Sequence, residues 1–465
     1  MQRTLASLAA VALGACSTLA PDGGVERVGA LSRERGVTVP IERSDADEGD
    51  ADVRVRALLR ESVTADAAVE VALRRNGGFR ARVAELAAAD ADRVQAGRLA
   101  NPSFSYSDKR GPGVRSIERA LTVNVMSLVM LPLNQKLATR RFEEAQLRLA
   151  GEAVSLAAQT RQAWIRAVAA AEQKAYFEQA HDLALASAEL AARMRAAGSY
   201  SELQRLREQA FAAETAAALA RARNSAKAER ERLVRLMAVW GSEADFTLPS
   251  RLPELPPSMQ APSDAERIAM ERRIDVLSAR RAAEATAEAL ELTRITRFVN
   301  VLHAGYTNES ERGEPRADGY EVELELPLFD FADAKQRRAE AVYLAAVART
   351  RETAINARSD VRERHAALAT AYDLARHYRD RVVPLRKAIA EEMMLRYNGM
   401  LIGIFELLAD AREQVASVNQ AIETSRDFWI AESRFRQALV GGTSTGETLA
   451  APSTTTARGS DGAAH

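Results

Sequence analysis

Residues 320–331 read YEVELELPLFDF. Tyr320, Val322, Leu324 and Leu326 alternate with Glu321, Glu323 and Glu325, the period of two that a β-strand imposes by sending successive side chains to opposite faces. A strand that is apolar on one face and acidic on the other separates two different media. The chain on either side of it has helical spacing, so the strand is the exception that the rest of the sequence has to explain.

Three more stretches have strand chemistry. In NPSFSYSDKRGPGVRSIERALTVNVMSLVMLPL (residues 101–133), Ser103, Ser105 and Ser107 alternate with Phe104 and Tyr106. Gly111-Pro112-Gly113 makes a turn, and Leu121, Val123, Val125, Val129 and Leu131 then share one parity. FVNVLHAGYT (298–307) is the third, and the loop NESERGEPRADG joins it to the opening stretch. The expected strands are about 101–110, 117–131, 297–307 and 319–329.

Between them lie long helices. Residues 135–197 contain no proline and, Gly151 apart, no glycine; at 1.5 Å per residue this predicts a rod of about 90 Å. Gly198-Ser199-Tyr200-Ser201 turns the chain back into a second helix that stops at Gly241. The same order recurs after a connector at 249–263 that contains Pro249, Pro253, Pro256, Pro257 and Pro262. A helix from about 264 leads to two strands, a long helix to Tyr397, a turn at Asn398-Gly399, and a return helix ending before Gly441. Arg75 pairs with Arg273, Pro132 with Pro327, Gly198 with Gly399 and Gly241 with Gly441, a spacing of roughly 200 residues that marks a duplicated helix–strand–strand–helix–helix unit. The expected repeats are 61–248, with a hairpin of about 134–241, and 264–441, with a hairpin of about 333–440. In the entry helix VTADAAVEVALRRN, Thr64 is the expected N-cap, with Asp66 in the first turn. Residues 16–60 read as extended and 442–465 as a disordered tail.

The bulk numbers exclude several classes. Sixty-four basic residues balance sixty-four acidic ones, against a nucleic-acid binder. No apolar run long enough for a membrane helix follows the N-terminus. His181, His303, His365, His377 and His465 form no i, i+4 pair, and no phosphate-binding glycine loop occurs, so no catalytic residue, metal site or cofactor is expected. Met393, Met394 and Met400 are a candidate soft-metal cluster, against the plainer reading as packing residues.

MQRTLASLAAVALGAC begins with Arg3 before the apolar run Leu5–Leu13, a secretory signal at 1–15. Leu13-Gly14-Ala15 before Cys16 resembles the bacterial lipobox, which implies cleavage and acylation at Cys16. Ser17 in place of aspartate favours the outer membrane of a Gram-negative cell.

Strands that cross a membrane must close into a barrel, because lipid satisfies no open edge. Four strands cannot enclose a lumen, but three chains would pool about twelve. Either the four strands form a small soluble sheet, or several chains pool them; with pooling, the expected fold class is mainly α with a small transmembrane β part, a homotrimer with a shared 12-strand β-barrel and a long α-helical periplasmic tunnel.

At this point the residues carry a resemblance. VTADAAVEVALRRN, AGRLANPSFSYS, LPLFDFADAKQRRAEA and RYNGMLIGIFELLADAREQ, in this duplicated order over about residues 60–440, resemble the TolC-type outer-membrane efflux channel family. Gly77 stands where that family usually has proline, Asp333 lies near a common glycine, and Gly399 falls one position before the frequent one. The resemblance implies a passive conduit in a tripartite efflux system, not an enzyme, working with a periplasmic adaptor protein, an inner-membrane pump and outer-membrane lipid. It implies adaptor docking at two hairpin tips: Arg193, Gly198, Ser199, Tyr200, Ser201, Glu202 and Leu203 in the first, Arg396, Tyr397, Gly399, Met400, Leu401, Ile402, Gly403, Glu406 and Leu407 in the second. Glu202, Glu406 and Asp410 are the candidate gate, as a ring of like charge at a three-fold constriction, or simply a solvated helix face. Glu321, Glu323 and Glu325 are the candidate barrel lumen, with Tyr306, Tyr320, Phe329 and Phe331 at the interfaces. The alternatives are the outer-membrane component of type I protein secretion and a periplasmic coiled-coil lipoprotein scaffold without a barrel.

Overall fold

The computed structural model describes residues 18–40, 45–111, 114–259, 261–295, 302–311, 315–324 and 332–441. The signal at 1–15, Cys16, Glu325, Leu326, Pro327, Phe329, Phe331 and the tail at 442–465 lie outside the described residues.

The chain opens with two short helices, α1 (Val25–Arg33) and α2 (Asp45–Arg60). Both correct the expectation that 16–60 is extended. Polar composition hides three apolar positions on one side of α1, of which Val28 and Leu31 are buried against Phe142, Leu147 and Leu149. In α2, Val55 is fully buried, and Arg54 grips Glu70 at 3.0 and 3.1 Å. Tertiary packing, not intrinsic preference, makes these helices.

Next come α3 (Ala65–Arg75) and α4 (Gly77–Ala96). Thr64 caps α3 as expected, its hydroxyl accepting from Ala67 N–H at 3.1 Å. Asn76 both ends α3 and caps α4, accepting from Phe79 N–H at 3.0 Å. The strands β1 (Ser103–Gly111) and β2 (Val114–Asn124) follow, then α5 (Val125–Ala196) and α6 (Glu202–Met237). After the connector the order is α7 (Ala265–Arg272), α8 (Ile274–Ile295), β3 (Leu302–Glu311), β4 (Ala317–Leu324) and α9 (Asp333–His377). A π-turn at Tyr378–Val382 leads into α10 (Val383–Asn398), and α11 (Ile404–Val440) returns.

The strand bounds shift from those expected. Val125, Val129 and Leu131 are helical, because Asn124 starts a helix: its side chain accepts from Ser127 N–H at 2.9 Å. A run of apolar residues does not distinguish strand from helix, and the cap decides. Pro132 then lies inside α5. β3 runs on through the polar residues Asn308–Glu311 because backbone pairing with β2, from Ser116↔Glu311 to Asn124↔His303, sets its length.

All four strands form one antiparallel sheet in the order β1-β2-β3-β4. The helices pack along their lengths, α5 against α6, α11 against both α5 and α9, and α10 against α11. The cores lie on one side of this layer. α2, α3 and the connector cover Trp164, Ala167, Val168, Leu233 and Met237. α7 and the connector cover Val361, Leu368, Tyr372, Phe428 and Phe435. At the break between α7 and α8, buried Arg273 bonds Asp275 at 2.7 Å, Asp360 at 2.9 Å and the Ala438 carbonyl at 2.9 Å, tying three helices together. Among the described residues no helix is long and apolar enough to cross a membrane.

Candidate functional site: the two-faced sheet and the helical tips

Residues opposite one another in an antiparallel ladder share a face. The register puts Glu321 opposite Gly305, Thr122 and Ser103, and Glu323 opposite His303 and Asn124. Ser105, Ser107, Glu118, Thr307 and Glu309 extend this small, polar and acidic surface. His303 Nδ1 lies 3.1 Å from a Glu323 carboxylate oxygen. The other face carries Leu324, Leu302, Val123, Leu121, Phe104 and Val322. Above them is an aromatic row: the Tyr306 and Tyr320 rings meet edge to face at 5.9 Å, and Arg119 sits 6.0 Å from the Tyr106 ring. Beyond the row, the far end is ionic, with Arg110 and Arg115 on Asp108 at 2.8 and 3.0 Å. No described residue covers the apolar face: Tyr320 is 90% exposed, Val322 70% and Phe104 66%. The sheet therefore has two contrasting faces, as the alternation in the opening stretch predicts, and two edge strands, β1 and β4, with no partner among the described residues.

At the opposite ends of the helices, the two tips solve the same turn differently. In the first, Gly198 takes φ +74° and Ser199 N–H bonds the Met194 carbonyl at 2.9 Å, a glycine-terminated helix end. Ser201 and Gln204 then form a capping box at 3.2 and 2.7 Å. Tyr200 is buried, and that burial pushes its hydroxyl above the usual tyrosine range, helped by the negative charge of Glu208. Leu203 is exposed. In the second tip the left-handed residue is Met400, φ +58°, while Gly399 stays at −78°. The helix ends at Asn398 and Gly399 caps it, as the expected turn at Asn398-Gly399 requires, but the left-handed conformation falls on Met400. Met400 and Leu401 are exposed, and the Gly403 N–H donates to Glu406 at 3.1 Å.

The candidate gate residues each have a partner. Arg205 and Arg195 hold Glu202, and the Arg205 hydrogen bond keeps its carboxyl below the usual range. Glu406 caps α11, and buried Asp410 faces Arg386 at 3.8 Å. Among the described residues of one chain, no hydrogen bond or ion pair joins the three to one another. Among the described residues, no group of three or more His, Cys, Asp or Glu is placed to hold a metal ion.

One constellation was not singled out from the sequence. Glu208, only 1% exposed, accepts from Ser187 Oγ at 2.7 Å and from Arg412 at 2.6 Å, bridging α5, α6 and α11. The guanidinium of Arg412 also stacks 4.7 Å from the Phe211 ring. The signal exists in the spacing. Over the tip-ward part of α6 the buried residues are Glu208, Ala212, Thr215, Leu219 and Ala222, alternating by four and three, and they face Ala180, Ala184, Ser187 and Ala191 on α5. Glu208 thus occupies a core position of a small-residue coiled-coil seam.

Neither the protein-family models nor the curated proteins contain a match. Solved structures do. A membrane protein from Pseudomonas aeruginosa superposes with a TM-score of 0.69 at 21% identity, covering 83% of this chain and 94% of that one. The outer membrane protein VceC from Vibrio cholerae gives 0.67 at 16% identity, covering 81% and 96%. CusC, whose structures concern folding and transmembrane channel formation, gives 0.67 at 15% identity, covering 83% and 94%. Structural neighbours that include the outer-membrane channels OprN and CmeC are thus similar to this chain over most of its length, and it shares their fold.

Proposed function

We propose that the chain is the outer-membrane channel of a tripartite efflux system, a passive homotrimeric conduit. The observation that carries this reading is the sheet: one apolar face with an aromatic row, one polar face, and two unpaired edges. A sheet exposing so large an apolar face is unstable in water, and in lipid an open edge is unstable as well. Three copies joined β4 to β1 would close both edges and turn Glu321, Glu323 and Glu325 towards a shared lumen. The two successive helix–helix–strand–strand–hairpin runs support a duplicated unit. The α5 helix, 72 residues and about 110 Å long, suits a periplasmic tunnel.

The N-terminus supports lipid anchoring at Cys16. Ala20 N–H donates to buried Asp90 at 2.8 Å, and Arg93 donates to the Thr18 carbonyl at 3.3 Å. The chain is therefore pinned two residues after Cys16, beside the end of α4 that leads into β1, where acyl chains would meet the membrane surface.

In this reading the tips dock the periplasmic adaptor through exposed Leu203, Met400 and Leu401, with the inner-membrane pump supplying energy and the substrate. Glu202, Glu406 and Asp410 belong to the gate only in the trimer. The test is purification from outer membranes followed by planar-bilayer recording. A trimer that withstands mild SDS until heated and conducts ions is expected. A monomer released from membranes by removing the lipid anchor would instead identify a scaffold.

A further inference from the structure

The helical layer has a second face, and it carries unbalanced charge. A groove of about 380 Å³ lies between the middle of α5 and the C-terminal parts of α6 and α11, lined by Arg166, Glu229, Arg426, Asp427 and Arg434. Its position follows from helix geometry. Arg166 lies two residues from Trp164 and from Val168, both buried under α2 and α3, which is about 160° round the helix. Arg426 lies two residues from Phe428, buried under α7 and the connector, again about 160° away. The groove therefore opens on the side opposite the covering helices.

Its acids are already engaged. Asp427 pairs with Arg426 at 2.8 Å and Glu229 with Arg232 at 2.9 Å. Glu363 of α9 borders the continuation of the groove past Arg434. Arg166 and Arg434 themselves make no hydrogen bond or ion pair with any described residue. Burial draws the Arg166 guanidinium below its ordinary range; Glu229 opposes this, and repulsion from Arg434, Arg232 and Arg426 adds to it. Arg166 is thus half-buried with no direct ion pair, the nearby Glu229 being shared with Arg232, and guanidinium forks fit planar or tetrahedral oxyanions.

We propose that this groove binds multivalent oxyanions, phosphates or clustered carboxylates, and that in the assembled conduit it forms a cationic collar around the lumen beside the middle of α5. The lumen placement rests on the channel reading; the binding site does not. In the closed layer the covering helices lie outside and the arginine face inside. Three copies would set six unpaired guanidinium groups round one passage, enough to hold or select anionic solutes moving through it.

The probe is inorganic pyrophosphate, titrated calorimetrically into the detergent-solubilised full chain at low salt and followed as block of current in bilayers. Arg166→Gln with Arg434→Gln should weaken binding at least tenfold and abolish the block, with helicity and thermal midpoint unchanged. Arg338→Gln, an exposed arginine of α9, should change neither. If wild type and the double variant bind pyrophosphate equally, or wild type binds none, the site is wrong. Conduction without pyrophosphate binding or block overturns the collar and leaves the channel. Binding by a protein that never conducts keeps the site and overturns the channel.

Discussion

The two helical hairpins are equivalent in chain order and unlike in construction. The first is two continuous helices zipped by an alanine seam, ending in a turn with glycine at the left-handed position and Tyr200 buried beneath it. The second is interrupted by the π-turn at Tyr378–Val382, followed at once by Pro384, which removes a backbone donor. Its α10 buries no residue, and its turn forces Met400 into a left-handed backbone. Low burial marks segments that open at small free-energy cost. The contrast teaches that equivalent chain order leaves the two hairpins unequally packed, with Glu208 and Arg412 one tie between them, beside Gln173 on Asn419 and Glu423.

The largest effect should come from cutting the Glu208–Arg412 tie. Glu208→Ala leaves the guanidinium of Arg412 without its carboxylate and should cost about 3 kcal/mol, the low end for a broken buried pair because Arg412 keeps some contact with water. Urea unfolding followed by circular dichroism measures it. Retained stability would mean that the hairpins are not coupled there. Tyr200→Ala should lose roughly 2–3 kcal/mol by emptying a buried site, whereas Leu401→Ala should stay within about 0.5 kcal/mol. Equal losses at both positions would show that the second tip is as well packed as the first.

The two turns offer a reciprocal pair. Gly198→Ala should destabilise by about 1–2 kcal/mol through backbone strain alone, since nothing lies within 4 Å of the added carbon. Met400→Gly should stabilise by about 1 kcal/mol for the converse reason. Thermal midpoints of the two variants moving in the same direction would refute the assignment of the left-handed residues. The smallest effect concerns the Arg273 cluster that ties α8, α9 and α11. Asp360 is held below the usual carboxylate range: burial raises it, but hydrogen bonds from Arg364 and Arg273 outweigh that. Its contribution is complete above about pH 4, the ordinary aspartate value, and is lost as pH falls towards the lower folded value. Asp360→Asn should flatten that acid limb of the stability curve.

Much of this was legible in the chain. Alternation at 320–324 gives the two-faced sheet because a pleat has a strict period of two, and the glycine at 198 marks a turn because few other residues accept that backbone. What escaped has physical reasons. α1 and α2 exist through contacts with residues far along the chain, which local composition does not carry. Val125–Leu131 is apolar in both helix and strand registers, so only the Asn124 cap separates them. Glu208 looks like any surface glutamate until the four–three spacing of its neighbours is counted. The tip turn begins at Gly399 as expected, but that Met400 rather than the glycine takes the left-handed backbone is not written in local sequence preference.

The alanine seam between α5 and α6 also sets a mechanical property. Small side chains let two helix axes approach to about 8 Å, the short end of the usual range. Backbones so close leave little room to slide or splay, so the first hairpin should bend as a plank rather than open as a pair of rods.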